Sequence, residues 1–301
     1  MTRGLIGVVH LPAMPGDPAH RADREGGGSF AGVLEHAKRD ASALAEGGAA
    51  AIIVENFGSA PFPKGTPDQP TPPHQIAAIA LAVAACKATS GLPTGVNVLR
   101  NDVRAALGIA AACEASFVRV NVHVGAYVTD QGIIEGRAFE TLRYRRELGA
   151  DAIGAELRDG RPAPASFAGA GMPSWSGATN AIAILADVRV KHASPLAPVS
   201  VATEVEDCLR RAFADAVVVT GAGTGKPVSS ALLEEVREAA GEGVVLIGSG
   251  LDPERAVVLA PLADGAIAGT WIKEGGDVRA PVDAARVRAL VDATRGRWRS
   301  R

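Results

Sequence analysis

A single (β/α)8 barrel, the TIM-barrel architecture, is the fold this sequence predicts. Short runs rich in Val and Ile alternate with Ala-rich stretches along the whole chain. That alternation implies parallel strands, because each helix serves as the crossover that returns the chain to the next strand. Eight such pairs can be marked, enough to close a barrel, and 301 residues suit one. An open doubly wound sheet is the runner-up. It is less favoured because no Gly-x-Gly-x-x-Gly follows the first strand.

The elements run in order. "LIGVVHL" (5–11) is the first strand, followed by a helix near 29–46. "AAIIVENF" (50–57) precedes a helix near 74–89, and "TGVNVLRN" (94–101) one near 102–114. "FVRVNVHVG" (117–125) leads to a helix near 136–148, and "AIAILADVRVKHA" (181–193) to one near 201–213. "DAVVVTG" (215–221), "VVLIGSG" (244–250) and "DGAIAGTW" (264–271) are the last strands, with helices near 229–240, 253–261 and 281–294. One domain covers 1–301. Residues 151–180, rich in Gly, Pro, Ala and Ser, form an insertion before strand five. In a barrel that connection lies away from the active face, so it reads as a loop or an oligomer contact, and a homo-oligomer is expected. Residues 58–73 follow strand two on the active face, where a long irregular segment can serve as a lid.

A net charge near −2 argues against a general nucleic-acid or membrane-surface role. Cys86, Cys113 and Cys208 are widely spaced, in no metal pattern, and read as reduced thiols of a cytoplasmic protein. No signal peptide is evident ahead of "LIGVVHL", and the apolar run Ile76–Cys86 is too short to span a membrane.

Barrel sites are built at the C-terminal ends of the strands. Strand seven ends in Gly248, Ser249 and Gly250, and strand eight in Gly269 and Thr270. Glycine ends at these two strands commonly hold phosphate on exposed backbone N–H groups. "DAVVVTGAGTGK" (215–226) looks like a nucleotide loop, but Lys226 is followed by Pro227, so it is not a Walker A sequence. It reads as a rim segment beside a phosphate site, bringing Gly221, Gly223 and Thr224 to the ligand. The bland alternative makes all these glycines tight turns.

Polar residues inside strands are the second signal. In strand four Arg119, Asn121 and His123 alternate with valines, and in strand five Asp187, Arg189 and Lys191 do so. A period of two puts each trio on one face, and the valines claim the helix side. His10, Glu55 and Asn97 join them from strands one to three. Buried charges need partners, so a structural ion-pair network is one reading of the deeper residues. Glu55, Asn97, His123, Asp187 and Lys191 are the catalytic candidates. Glu55 and His123 would exchange protons. Lys191 would be a Schiff-base amine or an anion-binding cation. Asn121 is a binding candidate, as is Asp130 in the loop "YVTDQGIIE" (127–135), which otherwise caps a helix. A divalent metal on His10, Glu55, His123 and Asp187 has little spacing support, and neither metal nor cofactor is expected.

The stretches "VVHLPAMPGDP", "VENFGSAPFPKG", "GVNVLRND", "FVRVNVHVGAYVTDQGIIEGRA", "ADVRVKHASPLAP" and "ADGAIAGTWIKEGG" together resemble the BtpA/SgcQ family. The resemblance covers nearly the whole chain except 151–180, where the family pattern passes quickly from helix to strand. It implies a phosphate-binding barrel. One branch of the family is associated with photosystem I biogenesis, and SgcQ with sugar metabolism. Two functions are therefore carried forward. One is an enzyme acting on a phosphorylated sugar or nucleotide-like molecule by lyase, isomerase or glycosyl-transfer chemistry. The other is a non-catalytic assembly or stability factor.

Overall fold

The computed structural model describes residues 4–21, 29–151, 181–221 and 223–299. The predicted insertion lies, beyond Asp151, outside the described residues. Eight parallel strands close a barrel: β1 (Leu5–His10), β2 (Ala51–Glu55), β3 (Thr94–Asn97), β4 (Phe117–Val120), β7 (Ala183–Val188), β9 (Ala216–Val219), β10 (Val244–Ile247) and β11 (Gly265–Ala268). The helices α1 (Phe30–Glu46), α2 (Pro73–Ser90), α3 (Val103–Ala112), α4 (Ala138–Glu147), α5 (Val201–Glu206), α6 (Ser230–Ala240), α7 (Pro253–Leu259) and α8 (Ala284–Thr294) surround it. α5 continues as a π turn through Arg211. Six of the helices start behind a Ser or Asp whose side chain accepts one of the otherwise unpaired first-turn N–H groups: Ser29, Asp102, Ser200, Ser229, Asp252 and Asp283.

Strand periodicity divides the core in two. Val9, Ile52, Val54, Val96, Val118, Ile184, Val188, Val217 and Ile247 face the helices. The opposite parity fills the barrel with Ile6, Val8, Ala51, Ile53, Phe117, Leu185, Val218, Leu246 and Ile267. Towards the C-terminal ends that inner set turns polar. His10, Glu55 and Asn97 stand level, as the registers His10↔Glu55 and Glu55↔Asn97 require.

Two predicted strands are shorter than expected. β4 ends at Val120 and β7 at Val188, where Arg189 takes a left-handed φ of 56°. The chain beyond them builds a small antiparallel sheet instead. β5 (Ala126–Thr129) and β6 (Gly132–Glu135) form a hairpin, and β8 (Ala193–Pro195) pairs with β5. Tyr127 and Ile134 pack inward with Val122 and Val190, while Val128 and Ile133 are exposed. The segment 58–73 does not line the barrel cavity. It is strapped to the loop after β3, with Arg100 N–H donating to Pro63 O (3.1 Å) and Thr71 N–H to Asp102 (2.9 Å). The three cysteines are unpaired, and burial pushes the Cys86 thiol up to about 12, which keeps it inert. Among the described residues no helix is long and apolar enough to cross a membrane.

Candidate active site at the barrel mouth

The cavity opens at the C-terminal ends of the strands and spans about 320 Å3 with the open solvent at its mouth included. Val8 and Ile267 form its floor; His10, Glu55, Arg119 and Lys191 line one side. Thr224, Gly225, Gly248, Ser249, Gly250, Gly269 and Thr270 line the other. The asymmetry follows from the inward positions of the strands. β1 and β2 carry side chains at the top inward position. The chain after β10 and β11 carries Gly248 and Gly269 there, and the missing side chains leave the space.

Arg119 holds the polar side together. Its Nε and Nη2 fork onto both oxygens of Asp187 (2.8 and 3.0 Å), and Nη1 reaches Glu55 Oε1 (3.2 Å). Asn121 also donates to Asp187 (2.8 Å), and Asn97 to Glu55 Oε1 (3.2 Å). Burial alone would lower the Arg119 pKa, but Asp187 and Glu55 outweigh it and raise it, so the guanidinium stays charged. Glu55 Oε2 is left facing His10 Nε2 at 3.8 Å, beyond hydrogen-bond reach. Burial, then Lys273 and Lys191, hold His10 well below its ordinary pKa. The imidazole is therefore neutral. Its Nδ1 is buried without a partner, and its ring stands 4.7 Å from that of Phe57.

Lys191 enters from the loop after β7, not from the strand that sequence parity assigned to it. No carboxylate lies within ion-pair distance of its amine among the described residues. Burial and then Arg119 lower its pKa, Glu55 and Asp187 oppose this in part, and Arg100 lowers it further. Arg100 Nη2 donates to the Lys191 carbonyl (2.7 Å) and positions the loop. Across the mouth, Thr224 N–H donates to His192 Nε2 (3.1 Å). Ser249 Oγ accepts from Gly221 N–H (2.9 Å) and donates to Lys226 O (3.0 Å), so the 221–226 loop is tied to the end of β10.

Sequence parity fails for His123, and the loop candidates Asp130 and Gly223 also lie outside the cavity wall. His123 lies beyond the end of β4, so it does not point into the barrel. Its Nε2 meets Ala212 O (2.9 Å) beyond the α5 extension, and burial pushes its pKa down to about 4. It does not reach the cavity or Glu55's side of it, so the expected proton-transfer pair and the conceivable metal set of His10, Glu55, His123 and Asp187 are not assembled. Asp130 neither borders the cavity nor caps α4. It occupies the exposed β5–β6 turn, where Gln131 donates to it (2.6 Å). Gly223 is likewise outside the cavity wall, as are Gly221, Asn97, Asn121 and Asp187, the last three lying just beneath it in the Arg119 network.

Two glycines at the mouth have reasons of their own. Gly250 has φ +66°, and a Cβ there would stand 2.3 Å from the Pro227 backbone; a Cβ on Gly269 would stand 2.7 Å from the His10 ring. The tight-turn account thus holds at these two positions alongside any ligand role. Even so, the N–H groups of Ser249, Gly250 and Thr270 have no hydrogen-bond partner among the described residues.

His10 and Arg119 line the cavity although the candidate set omitted them; strand parity had already turned both inward. Missed outright was the pair behind His10. Lys273, fully buried, donates to Asp40 on α1 (2.6 Å), and His36 meets the His10 carbonyl (3.1 Å). The available signal was Asp40 falling on the buried stripe Val33, Ala37, Ala41, Leu44 of α1. Among the described residues no three His, Cys, Asp or Glu side chains cluster as a metal ligand set.

The chain belongs to the BtpA family, whose model matches residues 1–159 and 174–296. The unmatched stretch falls inside 151–180. The chain is 39% identical to the photosystem I biogenesis protein BtpA of Synechocystis over 96% of this chain and 87% of that one. It is also 39% identical to an uncharacterized protein of Pyrococcus furiosus, covering 95% and 93%, and 28% identical to one of Caenorhabditis elegans, covering 94% and 90%. In fold it is similar to Mycobacterium tuberculosis tryptophan synthase (TM-score 0.56, 16% identity, 98% and 93% covered). It is similarly close to orotidine 5′-phosphate decarboxylase of Pyrococcus horikoshii (TM-score 0.51, 14% identity, 97% and 100% covered).

Proposed function

We propose that the chain is an enzyme acting on a phosphorylated small molecule, a sugar phosphate or nucleotide-like compound, by lyase, isomerase or glycosyl-transfer chemistry. The observation that carries this reading is the division of a single cavity. Backbone N–H groups of Ser249, Gly250 and Thr270, unpaired among the described residues, lie on one side, and Glu55, His10 and Lys191 on the other. The first side suits a phosphate dianion, held by N–H groups that need no conformational change to receive it. The second suits proton transfer. Glu55 has one oxygen fixed by Arg119 and Asn97 and the other open to the cavity side, and neutral His10 stands next to it. Lys191 stabilises the negative charge that develops when a proton is taken from the substrate.

The experiment is thermal stabilisation by a panel of sugar phosphates and nucleotides, with each unphosphorylated parent beside it. A ligand that binds only the folded chain raises Tm with its concentration. The expected result is that at least one phosphate ester raises Tm and its parent does not. No response to any phosphate ester or to inorganic phosphate overturns the reading.

The second reading, a non-catalytic assembly factor, is favoured by the name of the Synechocystis relative. An equally similar relative, that of Pyrococcus furiosus, carries no such name. A scaffold also has no use for an unpaired lysine beside an open carboxylate.

A further inference from the structure

The amine of Lys191 has three distinctive surroundings. It lines the cavity, with Glu55 and Arg119 on the same wall. It has no carboxylate partner among the described residues: both oxygens of Asp187 and one of Glu55 are already held by Arg119. The Arg100 guanidinium comes from the loop after β3; its Nη2 grips the Lys191 carbonyl, and its Nε is buried without a partner among the described residues. The chain has five other lysines. Lys38, Lys87 and Lys273 are paired with Glu35, Glu114 and Asp40, and neither Lys64 nor Lys226 lines the cavity. A lysine paired with a carboxylate keeps its proton and serves as a cation. One that is desolvated beside guanidinium groups loses its proton more readily and becomes a nucleophile.

We propose that Lys191 is a covalent catalyst that forms an iminium with a carbonyl carbon of the substrate, which is therefore a phosphorylated aldehyde or ketone. This rests on the phosphate reading above and deepens it. The unprotonated Nζ attacks the carbonyl carbon, and the carbonyl oxygen takes a proton to give a carbinolamine. That hydroxyl leaves as water with one further proton while the nitrogen lone pair forms the C=N bond, so nothing is oxidised or reduced. The cationic iminium draws electrons from the neighbouring carbon. Glu55 then accepts the proton released there, leaving an enamine. The direction of the Lys191 pKa shift accords with this use.

The test is reductive trapping with glyceraldehyde 3-phosphate and cyanoborohydride, followed by peptide mapping. Cyanoborohydride delivers hydride to the iminium and fixes the adduct as a secondary amine. Lys191 is expected to be labelled about ten-fold or more faster than Lys38, Lys64 or Lys87 at pH 7. Inorganic phosphate should slow labelling at Lys191 and leave those lysines unaffected. Lys191→Arg keeps the cation. It should abolish the adduct while phosphate still raises Tm. Labelling at Lys191 no faster than at the surface lysines overturns the proposal, and a Tm that still responds to phosphate then leaves the phosphate reading standing. Fast labelling by unphosphorylated glyceraldehyde, unaffected by phosphate, supports the nucleophile and overturns the phosphate subsite instead.

Discussion

Two sets of charges lie at the same mouth and behave oppositely. At the cavity wall and beneath it Arg119, Asp187 and one oxygen of Glu55 form a closed network in which the guanidinium Nε, Nη1 and Nη2 are all spent. On the rim Lys191 and the N–H groups of Ser249, Gly250 and Thr270 have no partner among the described residues. Buried charge is tolerated when its partners are built in. The lower set satisfies that condition and gives the fold its rigidity. The rim leaves it open for something the chain does not supply, and that difference separates scaffold from site.

The largest effect is expected where the closed network is broken. Arg119→Met strands two buried carboxylates, and removing one partner of a buried pair costs about 3–5 kcal/mol. Denaturant unfolding at pH 7 measures it. Replacing Asp187 with Asn in the same chain should recover part of the loss, because one of the stranded charges goes with it. A loss below about 1 kcal/mol would mean that water or Lys191 takes over the guanidinium's role. The lower layer would then be as open as the rim.

His123 belongs to neither set, and it gives the next largest effect. Burial pushes its folded pKa down to about 4, from an ordinary value of 6.5. The Ala212 carbonyl opposes this and Arg145 adds to it. Between those two values the unfolded chain binds a proton and the folded chain does not. Stability is therefore flat above about pH 6.5 and falls as pH drops towards 4, by roughly 3 kcal/mol for this group. His10 is shifted in the same direction and adds to the slope. In His123→Gln the loss of stability between pH 7 and pH 4.5 should shrink but not vanish. An unchanged slope would mean that the imidazole is free to charge in the fold, which a cavity-facing residue could do.

His123 also marks the limit of what the sequence could tell. Period-two alternation placed His10, Glu55, Asn97, Arg119, Asn121 and Asp187 correctly, because each lies within a regular strand or one residue beyond it. It failed at 123 because β4 stops at Val120, and nothing in "FVRVNVHVG" marks that stop. The same run-on carried the predicted fifth strand to Ala193, past Val188 where β7 ends. Lys191 reaches the mouth for a reason parity did not contain, a loop turned by the left-handed Arg189 and held by Arg100. On the glycine side, composition alone could not show that Gly250 is required by the close Pro227 backbone, or that a Cβ on Gly248 would stand 2.6 Å from the Val218 side chain and 2.7 Å from that of Thr220.

The smallest effect on stability, and the sharpest test of the comparison, is expected at Lys191. Lys191→Met keeps the length and apolar stem of the side chain and removes a cation that has no carboxylate partner among the described residues. The lost Coulomb attraction to Glu55 and Asp187 is diluted, since Arg119 already bonds to both. The relieved desolvation works the other way. Stability should therefore change by less than about 1 kcal/mol, against several for Arg119 a short distance below. Function should divide in the reverse sense. Lys191→Met and Glu55→Gln should each abolish turnover of the true substrate while folding normally, as judged by near-native denaturant midpoints. A Lys191→Met chain that unfolds as readily as Arg119→Met would place this lysine inside the structural network. The rim would then be one more layer of scaffold.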